Sequence, residues 1–122
     1  MSTLEIPHDE WAAFFEGFSR RHQGWLATVE VFGSDIGAQV EARELPFEGI
    51  TADLKQDDGN SISIFIGKTP DEHVTHMILA PTHVRLKQTE AGADEALEIE
   101  SATETTLLRF RSAMPPEMVD GM

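Results

Sequence analysis

The chain has no cysteine, which excludes disulfides, thiol nucleophiles and cysteine-ligated zinc or iron–sulfur centres. Positive charge is also scarce. Nine Lys and Arg residues, only three of them lysine, stand against twenty-two Asp and Glu, giving a net charge of −13. The acids run from Glu5 to Asp120, so the surface as a whole is negative rather than one tail. Such a field repels phosphate backbones, and no basic stripe offsets it; nucleic acid and anionic membrane are therefore excluded as expected partners. No apolar run approaches the ~20 residues that span a bilayer. The N-terminus "MSTLEIPHDEW" lacks a basic flank followed by an apolar stretch, so no secretory signal is read there. Cytoplasmic residence is the expectation. There is no internal repeat, low-complexity tract or linker, and 122 residues suit a single domain, 1–122, with one core.

What is present divides by periodicity. Pro7, Asp9 and Glu10 suit a helix start. Trp11, Phe14, Phe15 and Phe18 then recur at i, i+3, i+4 and i+7, one apolar face of a helix over about 7–23. Gly24 is a suitable stop. From Trp25 the period becomes two. "WLATVEVF", "AQVEARE", "FEGITADLK", "SISIFIG", "HVRLKQT", "EALEIES" and "TTLLRFRS" read as short strands, with turns at "GSDIG", "LP", "QDDGN" and "EAGA". The expected fold is α+β. An N-terminal amphipathic helix is followed by a seven- to eight-stranded antiparallel meander (about 25–111), rolled or closed into a barrel, with a C-terminal arm over 112–122. On the last strands Glu98 and Glu100 should lie between Arg85 and Lys87 on one side and Arg109 and Arg111 on the other.

"DEHVTHMILAPTH" carries three of the five histidines. As a helix, Thr69-Pro70-Asp71-Glu72 is a capping box, and His73 and His76 share a face at i and i+3. As a strand, Val74, His76 and Ile78 alternate with Thr75, Met77 and Leu79, and His73 and His76 point to opposite faces. Val, Thr and Ile fit a pleat, and Pro81 disfavours a helical Ala80, so the strand is favoured. A three-residue loop, Ala80 to Thr82, would then pair Ile78 with Val84 and His76 with Leu86, leaving His83 outside. One inward histidine falls short of the three converging ligands a zinc site needs, so no metal is expected. No cofactor signature is found; there is no phosphate loop and no G-x-S-x-G. The ligand-binding candidates are His73, His76 and Trp25, the last at the junction of helix and sheet. The catalytic set is unknown.

Several strings belong together: "IPHDEWAAFFEGFSRRHQGWLATVEV", "IGAQVEARELPFEGITADL", "HVTHMILAPTHV" and "EALEIESATETTLLRF". They resemble a family of small bacterial proteins known only as a domain of unknown function, over about Ile6 to Phe110. The segment "ATETT" departs from the glycine-bearing turn of that family. The resemblance implies a bacterial, single-domain, cytoplasmic protein and transfers no functional residues. The reading favours a non-enzymatic binding or interaction module. Met114, Met118 and Val119, on the proline-containing arm, are the candidates for contacting a protein partner or a second copy in a homo-oligomer. The alternative is a small-molecule or metal-dependent site centred on His76.

Overall fold

A computed structural model describes residues 2–33, 37–54, 60–67 and 70–111, without the side chains of Pro70 and Arg111. The turn residues of "GSDIG" and "QDDGN" lie largely outside this set, as do Met114, Met118 and Val119. Strand β1 (Ser2–Glu5) leads through a single 3-10 turn (His8–Glu10) into helix α1 (Trp11–His22). The rest of the chain is β2 (Leu26–Gly33), β3 (Gly37–Asp53), β4 (Ser61–Ile66), a 3-10 turn (Pro70–Glu72), β5 (Val74–Leu79), β6 (Pro81–Gln88), β7 (Asp94–Ser101) and β8 (Glu104–Arg111). No described helix is long and apolar enough to cross a membrane.

The helix forms on the face its sequence prescribes. Trp11, Phe15 and Phe18 are buried, and Phe14 packs at the margin of the same cluster. Trp11 Nε1 donates to the Ile6 carbonyl at 2.9 Å, which ties the start of the helix to the segment leaving β1. Gly24 ends the helix in the left-handed region (φ 89°), where a side chain would be disfavoured.

All eight strands pair antiparallel, in the order β1-β6-β7-β8-β2-β3-β4-β5. The expected antiparallel sheet is therefore present, but as two runs, β2–β5 and β6–β8, joined where β8 pairs with β2 rather than as one meander, and it does not close into a barrel: β1 and β5 are both edges. Three local expectations are corrected. First, β1 was not anticipated; its four residues are all exposed and carry no alternation. Second, "AQVEARE" and "FEGITADLK" form one strand instead of two. Pro46 lacks an N–H, yet it falls beside register shifts that bend the strand rather than end it. Glu44 there adopts φ 51°, with its N–H donating to Thr28 Oγ1 at 3.1 Å. The first half of β3 pairs with β2 and the second half with β4. Third, β5 and β6 do not pair as a hairpin; β5 pairs with β4 alone, where Ile78 faces Ile62 and His76 faces Ile64. Only Ala80 separates the two strands, at φ 52°.

Glu44 and Ala80 are the two described non-glycine residues with positive φ, and each marks a corner where the chain leaves one half of the sheet for the other. Corners of this kind let a sheet fold over itself. The interior so formed holds Ile62, Ile64, Ile66 and Ile78 from β4 and β5. It also holds Val29, Val84, Leu86, Leu97, Ile99 and Leu108 from the larger half, and the aromatic face of α1. The helix also guards a flank that neither neighbouring strand covers. Ser19 Oγ accepts from Ile50 N at 2.9 Å and donates to Ile50 O at 3.1 Å, satisfying both backbone groups of β3 at that point.

The charge ladder on β6–β8 is half as expected. Arg85 stands opposite Glu98 and reaches Glu98, Glu100 and Glu5 at 3.3, 2.9 and 3.1 Å; Lys87 reaches Glu98 at 3.2 Å. Arg109 turns the other way, to Glu30 of β2 at 2.9 Å, because the residue facing it on β7 is Ala96.

Candidate functional site

The histidines of 71–83 do not converge. Residues 74–79 are extended, as the β-branched content of "VTHMIL" requires, and this separates the pair. His73, at the strand's threshold, places Nε2 3.0 Å from Glu48 Oε1. His76 points inward, and its Nε2 lies 3.3 Å from the hydroxyl of buried Thr106 on β8. His83 is on the surface with Nδ1 2.8 Å from Glu5 Oε2, its N–H donating to the carboxylate. That bond holds the Glu5 carboxyl below the usual glutamate range, with Arg85 adding to the effect. The same acidic surroundings, Glu100 first, raise Arg85 further. Among the described residues no group of three or more His, Cys, Asp or Glu is arranged to hold a metal ion.

Trp25 and a histidine that the sequence reading passed over do come together. His22 lies at i+4 from Phe18 and prolongs the stripe Trp11–Phe15–Phe18 by one turn, which is the signal that could have found it. It is only 2% exposed. The Phe18 carbonyl, 2.8 Å from Nδ1, can only accept, so Nδ1 carries a proton. Nε2 lies 3.0 Å from Asp94 Oδ2 at the start of β7. Asp94 is held again by Gln88 Nε2 at 2.9 Å and more loosely by Arg21 at 3.7 Å. The His22 ring stacks on Phe110, 4.8 Å between centroids and 8° from parallel, and Trp25 stands perpendicular to both at 4.6 and 5.6 Å. Trp25 is fixed from its backbone: its N–H donates to His22 O and its carbonyl accepts from Phe47 N. The result is a braced junction between the end of α1, β8 and the start of β7. Both nitrogens of His22 are engaged, so the ring is a brace rather than a base facing solvent. Beside it the partly buried Trp25 and Phe110 wall a hollow of about 200 Å³ completed by Thr89, Ala93, Asp94 and Glu95.

A second feature belongs to β5. Neither β4 (SISIFI) nor β5 (VTHMIL) contains Asp, Glu, Lys or Arg, in a chain that is a quarter charged. On their outer face Ser61 stands beside Leu79, Ser63 beside Met77 and Phe65 beside Thr75. Met77 and Leu79 are 55% and 66% exposed. No described segment pairs with the outer side of β5. The opposite edge, β1, is four residues long and carries Glu5. Short length and charge are ordinary protections of an edge strand, and β5 has no charge at all.

Comparison with known proteins names no activity. No solved structure matches the chain. An uncharacterised protein of Aquifex aeolicus (strain VF5) is 28% identical over 116 residues, covering 94% of this chain and 97% of the relative. The model of the family of unknown function DUF5335 matches residues 2–118, and the chain belongs to that family.

Proposed function

We propose that the protein is a non-enzymatic interaction module of the bacterial cytoplasm, and that its open edge strand β5 pairs with the same strand of a second copy. The observation that carries this reading is the pair of uncharged strands β4 and β5, the second with Met77 and Leu79 exposed, on a molecule of net charge −13. Two copies repel wherever their acids meet. Strands β4 and β5 are where they approach without like charges meeting, and the unpaired backbone groups of β5 supply hydrogen bonds for strand addition. Antiparallel β5–β5 pairing about a two-fold axis satisfies both edges at once and sets Met77 and Leu79 against their counterparts. The acidity argues against nucleic acid as the partner. A non-enzymatic role is supported by the described histidines, which stand with separate partners instead of forming one set.

Sedimentation of the full chain from about 1 to 100 μM tests the proposal, since an interface this small is expected in the micromolar range. A concentration-dependent dimer is expected, reduced to monomer by Met77→Lys or Leu79→Lys. Both sites are exposed enough to accept lysine without loss of the core. A monomer throughout, in the full chain and in one ending at residue 112, overturns it. A shorter chain that dimerises when the full chain does not also overturns it, and identifies the arm bearing Met114, Met118 and Val119 as the occupant of the edge.

A further inference from the structure

The aromatic hollow beside Trp25 invites a reading independent of the β5 edge. We infer that it is a binding site for a small organic cation, an ammonium or methylated ammonium head, held in the corner that Trp25 and Phe110 form and neutralised by Glu95. The lining comprises two aromatic rings, two carboxylates, Thr89 and Ala93, and no Lys or Arg. The two carboxylates differ. Asp94 is already engaged by His22, Gln88 and Arg21. Glu95 is exposed and makes no hydrogen bond or ion pair among the described residues. It is the acceptor left for a ligand.

The neighbouring cations do not compete for it. Lys87 and Arg109, which line an adjoining hollow of about 310 Å³ that shares Glu95 and Phe110, are drawn to Glu98 and Glu30. Arg21, which lines a neighbouring hollow that shares Trp25, Ala93 and Asp94, is drawn to Asp94 at 3.7 Å. A cation over an aromatic face within ~6 Å is attracted by the ring quadrupole, most strongly at tryptophan. The net charge of −13 raises the local concentration of any cation at the surface. Size points the same way. With a water's share of liquid volume at about 30 Å³, the hollow has room for roughly six waters, enough for a trimethylammonium-sized head. The site is also built to keep its shape, because Trp25 is anchored by its backbone and Phe110 by its stack on His22.

The test uses the full chain, choline as the charged probe and 3,3-dimethyl-1-butanol as its uncharged isostere, read by NMR. The two tryptophans give two indole N–H signals, one from buried Trp11 and one from Trp25. Choline is expected to shift Trp25 saturably and leave Trp11 unmoved, while the alcohol shifts neither signal. Glu95→Gln, a change at an exposed position, is expected to weaken choline about three- to tenfold. Equal shifts by the alcohol, no saturable shift by choline, or unaltered affinity in Glu95→Gln would each overturn the inference. N-acetyl-lysine methylamide, titrated alongside, separates the two sources of the chemistry. Tighter binding than choline indicates a lysine side chain of a partner protein, and weaker binding indicates a free quaternary amine; either order carries the proposal.

Discussion

Gly67 is the position where the fold tolerates least. It closes β4 at φ 141°, buried, with its N–H donating to the Pro46 carbonyl at 2.8 Å. A Cβ placed there would sit on the Glu72 carbonyl oxygen and 2.7 Å from His73 Cα. Backbone, not a flexible side chain, is in the way, so relief requires moving the Pro70–Glu72 turn that delivers the chain to β5. Gly67→Ala therefore incurs two costs: a backbone conformation disfavoured for L-residues, about 1–3 kcal/mol, and overpacking of about 1–3 kcal/mol. The combined loss of several kcal/mol is a large share of the roughly 6–18 kcal/mol expected of a domain this long. Gly92→Ala supplies the control. Its φ is 88°, but nothing lies within 4 Å of the added methyl, so only the backbone cost applies. Guanidinium unfolding of the three proteins, with equal m-values, measures both. The reasoning is refuted if Gly67→Ala is no less stable than Gly92→Ala, because a steric contact is present at Gly67 and absent at Gly92.

Other outcomes follow from single contacts. Ser19→Ala removes both bonds to Ile50 and should cost about 1–3 kcal/mol, with faster hydrogen exchange at the Ile50 amide as the local sign. His22→Ala opens a cavity beneath Phe110 and releases Asp94; a loss of about 2–4 kcal/mol is expected by denaturant unfolding, with a changed Trp25 emission. Glu5 is held below its ordinary range in the fold, so its bond to His83 contributes fully above that range and is lost as pH falls through the folded value. Exchange at the β1 amides should quicken over that acid interval, and Glu5→Gln should remove the pH dependence.

Much of this architecture is legible in residues with strong local preferences. The stripe Trp11–Phe15–Phe18 and the alternation of Ala27, Val29 and Val31 settle which faces are buried. What escaped depends on partners distant in sequence. Ser2–Glu5 has no apolar rhythm, and its pairing comes from β6. The junction at Ala80 looks like a hairpin because strands adjacent in sequence usually pair, whereas both sides of β6 are taken by β1 and β7. Alanine carries no signature of a left-handed corner, as glycine or asparagine would. Trp25 could be singled out as a junction aromatic. The role of His22 requires Asp94, seventy-two positions later, which no local pattern connects.

Ionic strength separates the two proposed surfaces, because charge enters them with opposite sign. Two copies meeting through β4 and β5 bring no charges into the contact, so the remaining electrostatic effect is repulsion between their acidic surfaces. Salt shortens the reach of that repulsion from about 30 Å at 0.01 M to about 3 Å at 1 M. Dimerisation should therefore tighten as salt rises, the reverse of an ion-paired interface. Choline at Glu95 should weaken over the same titration, since its attraction is what the salt screens. A dimer that dissociates with salt would place the contact elsewhere, on a surface such as β1, β6 and β7 where Glu5, Arg85 and Glu98 alternate in sign, and the uncharged strands β4 and β5 would then have no part in it.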